Sequence, residues 1–162
     1  TPFAETIAAF EALQDAGKIR HWGVSNMDVD DMEEIARTAG GDAISTNQVL
    51  YNLMRRGIEY DLLPQAQARG LPLMAYSPIE QGRLTEYPEV QDIADKHGVT
   101  PAQVALAWVL RQEGVIAIPK ASTLKHVREN RAALDLQLTA EDLAELDDVF
   151  LPPDGPESLE MI

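Results

Sequence analysis

The sequence predicts an α/β fold of four parallel strands, each followed by a helix, with one further helix in front. Short apolar runs alternate with segments whose apolar residues recur at helical spacing. Strands that are apolar on both faces and alternate with helices are typical of a parallel sheet. Two architectures satisfy this order, a small doubly wound sheet or half of a (β/α)₈ barrel. A whole barrel needs about 250 residues. The length of 162 residues therefore favours the first, whereas the motifs below favour the second.

The first half of the chain contains three of the predicted strands. Thr1 and Pro2 suit the N-cap and first position of a helix that ends at Gly17. Residues 58–68 have a helical pattern, although Pro64 is expected to bend that helix or cost it a hydrogen bond. The remaining elements are a strand over 19–24, a helix capped by Asp28 that ends at 40–41, and strands over 43–49 and 71–76.

The second half is predicted to be mostly helical, with one strand over 115–119. Thr100 and Gln103 form a capping box around Pro101, which opens a helix that continues through Gln112. The other predicted helices cover 90–97, 124–134 with Thr123 as its cap, and a last segment that begins at Thr139 with Asp142 three residues later and ends before Pro152.

The composition excludes several classes of partner and site. The net charge of −14 is spread along the chain, which argues against nucleic acid because phosphate binding needs clustered Lys and Arg. No cysteine is present, so neither disulfides nor thiolate metal sites hold the fold, which fits a reducing compartment. No apolar stretch approaches the roughly 20 residues of a membrane span, and no signal peptide is evident. We therefore expect a cytoplasmic protein without a membrane partner.

Polar residues stand at the carboxyl end of each predicted strand. Ser25-Asn26 follow the first strand, Gln48 ends the second, Tyr76-Ser77 end the third, and Lys120 follows the fourth. Taken singly, these are ordinary turn, core or surface residues. In a parallel sheet or barrel, however, all four positions lie on one face, the face where ligands bind. The sequence therefore predicts a ligand site at this edge.

The chemistry of these residues suits a nicotinamide nucleotide. Side chains such as Ser25, Asn26 and Gln48 can match both the carbonyl and the N–H groups of a carboxamide. Tyr76 offers a flat ring for stacking. Gln81-Gly82 lies where glycine lets the backbone approach a diphosphate, and Lys120 with Ser122 precedes a helix N-terminus suited to phosphate. The sequence has no GxGxxG motif, so a Rossmann-type site is not supported.

Taken together, these motifs resemble those of the aldo-keto reductases. The resemblance covers the chain from Thr1 to about Pro153 and implies the C-terminal half of that family's barrel, from the fourth helix onward, over 1–153, with 154–162 as an exposed tail. The blocks that carry it are Gly23-Val24-Ser25-Asn26, Asn47-Gln48-Val49, Ala75-Tyr76-Ser77-Pro78, Ile118-Pro119-Lys120 and Glu129-Asn130, with Asp15-Ala16-Gly17-Lys18-Ile19-Arg20 and Thr100-Pro101-Ala102-Gln103 between them.

The resemblance implies a role in NADPH binding for each of these segments. The first two strand ends would hold the carboxamide, Tyr76 would stack on the ring, the loop 77–84 would cover the diphosphate, and 118–122 with the following helix would meet the adenosine. The residues so implied are Ser25, Asn26, Gln48, Tyr76, Ser77, Pro78, Ile79, Gln81, Gly82, Arg83, Leu84, Ile118, Pro119, Lys120, Ala121, Ser122, His126, Glu129 and Asn130.

One departure from the family pattern concerns the choice between NADPH and NADH. The family usually has an arginine near the adenosine 2′-phosphate, at the position of His126. A histidine is a weaker phosphate partner than the arginine fork, although Lys125 or Arg128 can compensate. NADPH is therefore the predicted cofactor, with NADH left open.

A second departure concerns the chemistry of catalysis. The family uses an Asp, a Tyr, a Lys and a His from the first four strands, and no residue here inherits those roles. His21, His97 and His126 are scattered, and we interpret them as structural or as near the cofactor. No His/Asp/Glu spacing indicates a metal site. We therefore expect the cofactor-binding half of a reductase of aldehydes and ketones, inactive by itself and without catalytic residues of its own.

Half a barrel would leave its two outer strands unpaired and its inner face uncovered. Three outcomes are open: completion by a missing N-terminal half, pairing of two copies into a homodimer through the open edges, or a rearranged sheet. A small carbonyl compound would be the substrate of the completed enzyme. The alternative functions are a nucleotide-binding module without turnover and a self-assembling piece that binds no nucleotide.

Overall fold

The computed structural model describes residues 1–162 and contains one sheet of four strands. The strands are β1 (Val24–Ser25), β2 (Asn47–Leu50), β3 (Leu73–Tyr76) and β4 (Val115–Ala117), and they lie side by side in chain order. Every neighbouring pair is parallel. The predicted α/β fold of four parallel strands with flanking helices is thus confirmed.

Seven α-helices connect and flank these strands. They are α1 (Phe3–Asp15), α2 (Val29–Arg37), α3 (Leu62–Ala68), α4 (Pro88–His97), α5 (Pro101–Leu110), α6 (Leu124–Ala132) and α7 (Ala140–Val149). Short 3₁₀ segments lie at Gly41–Ala43, Gly57–Glu59, Glu80–Glu86 and Ala133–Asp135. No helix has both the length and the apolar character needed to cross a membrane.

Several helix starts are set by the side chains that the sequence indicates. Asp28 forms a capping box with Asp31 at α2, and Thr100 and Thr139 do the same at α5 and α7. These boxes satisfy N–H groups that have no partner inside the helix. The predicted starts at Thr100 and Thr139 are therefore confirmed.

Other predicted boundaries were wrong. The first helix begins at Phe3, with Pro2 at its N-cap position and no side-chain cap. Residues 58–68 form a 3₁₀ segment and then α3, and Pro64 is the third residue of α3. An N–H in the first turn has no acceptor within the helix, so Pro64 forfeits no intrahelical bond. β1 consists of Val24 and Ser25 and so shares only one residue with the predicted 19–24, although Ser45 N–H donates to the Trp22 carbonyl just before it.

The hydrophobic core lies between the sheet and the helices. α5 is apolar around most of its circumference and buries seven of its ten residues, including Trp108. Along β2 and β3, Asn47, Val49, Leu73 and Ala75 are buried. The other face of the sheet is less covered, since Ile116 of β4 is 47% exposed. This less covered face is the one that would line the interior of a closed barrel.

The segment after α7 contains no helix or strand. Most of its side chains are exposed, but Leu159 packs against the core and Glu160 forms an ion pair with Arg55 at 2.6 Å. The last residues therefore lie against the loop that follows β2.

Candidate functional site

The ends of β1 and β2 bring three of the predicted residues together. Gln48 pairs with Ser25 in the sheet, and its carbonyl accepts hydrogen bonds from Ser25 Oγ at 3.0 Å and from Asn26 N–H at 2.8 Å. Asn26 has a left-handed backbone, φ +54°, and its side-chain Oδ1 is buried without a hydrogen-bond partner. The Gln48 side chain is half-buried. This corner therefore presents amide groups whose bonding capacity is not used within the protein.

Asn47 holds this corner in place. Its side chain is fully buried, and Nδ2 donates to the Met27 carbonyl at 2.7 Å while Oδ1 accepts from Met27 N–H at 3.4 Å. The side-chain amide thus pairs with the backbone as a neighbouring strand would. The pairing fixes the residue that follows Asn26. Sequence reasoning placed Asn47 in a motif but did not assign it this role.

Tyr76 lies at the end of β3, in register with Leu50 of β2. Its ring is half-buried, and its hydroxyl is buried without a hydrogen-bond partner. Since β2 and β3 are neighbours, Tyr76 and Gln48 lie on adjacent strands at the same end of the sheet.

The loop after β3 has an unusual backbone. Ser77, Glu80 and Gln81 all adopt left-handed conformations, and Gly82 has φ +97°. Left-handed residues other than glycine are strained and concentrate at functional sites. A Cβ added at Gly82 would meet nothing within 4 Å, so open space lies beside this backbone.

Of the other loop residues, Pro78 and Leu84 are buried, and Leu84 belongs to the core. Their side chains anchor the loop, whereas Gln81 and Arg83 are exposed.

A buried charged cluster supports the same loop. Glu80 is completely buried and accepts hydrogen bonds from Asn52, Arg55 and Arg83. Arg55 also contacts Glu160 at 2.6 Å, and this contact raises the pKa of Arg55. Sequence reasoning missed Glu80, Asn52 and Arg55. The one available signal was a single acidic residue inside the otherwise uncharged run from Tyr76 to Gly82.

The end of β4 completes the edge. Ile118 N–H donates to the Ala75 carbonyl at 3.1 Å, which joins the segment 118–122 to β3. Lys120 and Ser122 are exposed, and Thr123 caps α6 by accepting from His126 N–H at 3.2 Å. Glu129 and Asn130 are half-buried on the same helix. The structure thus places all four predicted groups at the carboxyl ends of neighbouring strands or on the helix that follows.

Tyr51 lies near this edge but has the wrong electrostatics for a proton donor. It is fully buried, and its hydroxyl donates to Glu59 Oε1 at 2.6 Å. Burial, the Glu59 charge and this hydrogen bond raise the pKa of Tyr51 well above its usual range. A catalytic acid works best with a pKa near the operating pH. Tyr51 is therefore a structural tyrosine.

The three histidines do not meet. His97 Nε2 lies 2.7 Å from Asp142 Oδ2, in a contact between α4 and α7, while His21 and His126 are exposed. Asp142 also accepts from Lys96 Nζ at 2.7 Å. Burial opposes the charge on Asp142, but Lys96, the Thr139 backbone N–H and His97 together hold its pKa well below the usual range. His97 therefore serves the packing of two helices.

The model of the aldo/keto reductase family matches residues 1–150. The chain belongs to the aldo/keto reductase family. The resemblance seen in the sequence is thereby confirmed.

Several aldo/keto reductases with assigned names are similar to this chain. Methylglyoxal reductase YeaE of Escherichia coli K12 is 50% identical over 165 residues, which cover 99% of this chain and 58% of the relative. Glyoxal reductase of Bacillus subtilis is 36% identical over 145 residues, which cover 90% and 51%. The chain therefore spans little more than half the length of these curated relatives.

Solved structures of the family agree with the fold. An aldo-keto reductase from Klebsiella pneumoniae in complex with NADPH superposes with a TM-score of 0.97 at 50% identity, covering 100% of this chain and 59% of that one. The thermostable aldo-keto reductase Tm1743, solved with the inhibitor epalrestat, gives a TM-score of 0.83 at 38% identity, covering 92% and 55%. The four strands described here thus match part of the barrel of a complete aldo/keto reductase.

Proposed function

We propose that this chain forms the NADPH-binding part of an aldo/keto reductase that reduces small aldehydes or ketones. The observation that carries the proposal is the pair of buried, unpartnered polar atoms at the strand ends, Asn26 Oδ1 and the Tyr76 hydroxyl. Buried polar groups in folded proteins nearly always have partners, so such atoms suggest a place for a ligand. The NADPH complex of the Klebsiella relative supports the choice of ligand.

The carboxamide of nicotinamide suits the groups of the first corner. Ser25 Oγ donates its proton to the Gln48 carbonyl, so its lone pairs remain as acceptors, and Asn26 Oδ1 is an acceptor too. Both can accept from the two N–H bonds of the carboxamide. The Gln48 side chain can donate to the carboxamide oxygen, and the Tyr76 ring can stack on the nicotinamide. When bound, NADPH supplies the hydride for carbonyl reduction.

The phosphates of NADPH would bind to the loop after β3 and to the start of α6. Arg83 and Lys120 are exposed cations near left-handed or helix-terminal backbone, where N–H groups favour anions. Near the 2′-phosphate, the Lys125 side chain is 79% exposed and lies 3.6 Å from Glu129, so this ion pair holds it only weakly. Lys125 is therefore available to compensate for His126. We propose NADPH as the first cofactor, with NADH weaker.

The substrate class follows from the relatives. The names of the E. coli and B. subtilis proteins refer to methylglyoxal and glyoxal, which are small dicarbonyl compounds. We propose the same class for the protein that contains this chain. The acid–base groups that protonate the carbonyl oxygen would come from outside these residues, so the chain alone would bind cofactor without turnover.

Titration of the purified chain with NADPH, followed by nucleotide fluorescence, tests the proposal. We expect saturable binding that Asn26→Ala or Gln48→Ala weakens about tenfold, as loss of a ligand hydrogen bond does. The matched control is Gln91→Ala, because Gln91 is an exposed residue of α4. The absence of NADPH binding to the wild-type chain would refute the proposal. Reduction of methylglyoxal by this chain alone would refute the placement of the catalytic groups elsewhere.

Self-assembly is a second candidate function, favoured by the open edge at β4. Ile116 and Leu134 are 47% and 56% exposed, and they line an apolar groove of about 330 Å³ between β4, α5 and the end of α6. Exposed apolar surface beside an unpaired strand favours association. We propose that the isolated chain forms a homodimer through this edge. Light scattering is expected to give twice the monomer mass, and Ile116→Lys to restore the monomer; a wild-type monomer would contradict the proposal.

A further inference from the structure

Glu80 is the most deeply buried charged residue of the loop that follows β3. Its side chain has 0% exposure, and its backbone is left-handed, with φ +47°. A buried carboxylate is costly unless it is paired and hydrogen-bonded. A residue that combines a strained backbone with a buried charge is retained only when the surrounding structure holds it there.

Three side chains satisfy the Glu80 carboxylate. Asn52 Nδ2 donates to Oε2 at 2.7 Å and also to the Ser77 carbonyl at 2.9 Å, so one amide fixes both ends of the turn. On the other oxygen, Oε1, Arg83 Nη2 donates at 2.6 Å and Arg55 donates through Nε and Nη2 at 3.3 Å each. The carboxylate therefore joins the loop after β2 to the loop after β3.

The two arginines differ in what else they bind. Arg55 is 31% exposed and also pairs with Glu160, so two carboxylates share it. Arg83 is 54% exposed, and its bond to Glu80 is its one side-chain hydrogen bond. A guanidinium has five N–H donors in a rigid plane. The bond from Nη2 to Glu80 anchors one corner of that plane, and the other N–H donors of Arg83 have no partner within the protein.

We propose that Glu80 is a positioning residue, which orients the free edge of the Arg83 guanidinium toward the diphosphate of the bound dinucleotide. This inference rests on the proposed cofactor function and adds to it the residues that set the arginine. Asn52 and Arg55 are the supports of Glu80, and Gln81 and Gly82 supply the neighbouring open backbone. Bidentate recognition of phosphate by arginine depends on such orientation.

The direction in which Glu80→Gln changes the affinity for nucleotide distinguishes positioning from charge balance alone. Glu80→Gln removes a negative charge beside Arg83, so if Glu80 only neutralised the arginine, NADPH and NADH would both bind more tightly. Positioning predicts the opposite. We expect the Kd for both nucleotides to rise about threefold to tenfold, since both contain the diphosphate. Glu33→Gln, which breaks an exposed pair with Arg37, is the matched control and should leave both constants unchanged. Unchanged or tighter binding by Glu80→Gln would overturn the proposal.

A second variant covers the case in which Glu80→Gln does not fold. Arg83 is largely exposed, so Arg83→Lys should fold and keeps the charge while losing the planar fork. We expect its Kd for NADPH to rise about fivefold, in line with the loss of one oriented charge-assisted bond. Wild-type affinity in Arg83→Lys would overturn the proposal, because charge alone would then suffice.

Failure of the proposed function is distinguishable from failure of this inference. If the wild-type chain binds neither nucleotide, the proposed cofactor function is refuted. The orientation of Arg83 is then decided by titration with inorganic pyrophosphate, observed through the Arg83 Nε–H signal in ¹⁵N NMR. A saturable shift of this signal in the wild-type chain, together with loss of pyrophosphate binding by Arg83→Lys in calorimetry, would support an oriented anion site. No shift would overturn it.

Discussion

Asp142 joins α4 to the start of α7, and its ionisation should govern the acid stability of the chain. The carboxylate is fully buried and accepts from Lys96 Nζ at 2.7 Å, from Thr139 N–H at 2.8 Å and from His97 at 2.7 Å. Burial alone would raise its pKa. The ammonium and the two N–H donors outweigh burial and lower it. The folded state therefore favours the ionised form more than the unfolded state does.

The magnitude follows from these contacts. A lowered pKa means that the folded protein binds fewer protons, so the stabilisation is complete above the unfolded pKa, near 4, and is lost as the pH falls. Asp142→Asn keeps the shape and one acceptor but replaces charge-assisted bonds with neutral ones. We expect a loss of about 2–3 kcal/mol in the free energy of unfolding at pH 7. Below about pH 4 the difference in unfolding free energy between the wild-type chain and Asp142→Asn should narrow by roughly 1.4 kcal/mol per pH unit.

Urea unfolding, followed by far-UV circular dichroism between pH 7 and pH 3, measures this gap. Carboxylates elsewhere on the chain contribute equally in both proteins and cancel, so the difference reports on Asp142 and its partner His97. The matched control is Asp135→Asn, because Asp135 is 76% exposed in a surface pair with Arg131; its effect should stay within about 0.5 kcal/mol. A gap between wild type and Asp142→Asn that does not change with pH would refute the reasoning.

Three further predictions concern the backbone, the core and the ring at the site. Gly41→Ala places a methyl group against the Ile35 carbonyl and should prevent stable folding. Gly82→Ala has space for its methyl group and should cost about 1–2 kcal/mol of backbone strain, because Gly82 has a positive φ. Thermal unfolding compares the stability of the two variants. Trp108→Ala removes the largest fully buried side chain and should cost about 3–5 kcal/mol in urea unfolding. Tyr76→Phe keeps the ring but removes the unpartnered hydroxyl and should raise the Kd for NADPH only about twofold to threefold, whereas Tyr76→Ala removes both and should raise it about tenfold; equal losses in the two variants would contradict stacking.

Local chemistry explains which parts of the fold could be predicted from the sequence. The starts of α5 and α7 depend on residues three apart, Thr100 with Gln103 and Thr139 with Asp142, so a short window contains the whole signal. Strand limits depend on a partner elsewhere in the chain. β1 forms only where Val24 and Ser25 pair with β2, and the apolar run from residue 19 gives no sign of that limit.

The same distinction applies to the candidate site. The strand-end residues were predictable because parallel strands bring their carboxyl ends to one edge, so sequence order alone brought Ser25, Gln48 and Tyr76 into one group. Glu80 was not predictable in this way. Its partner Asn52 lies 28 residues earlier, and nothing in either local sequence indicates that the two meet in a buried hydrogen bond.

These two kinds of residue have complementary roles at the edge. Asn26 and Tyr76 keep a polar atom unpartnered, whereas Asn47, Asn52 and Glu80 are buried and hydrogen-bonded. An unpaired group can serve a ligand only if its backbone does not relax to satisfy it. The second set prevents that relaxation, since Asn47 fixes the residue after Asn26 and Asn52 fixes the turn after Tyr76. The strained left-handed backbone at Asn26 and Ser77 is therefore held in place by buried amides and a buried carboxylate. Tight recognition of a ligand requires such preorganisation.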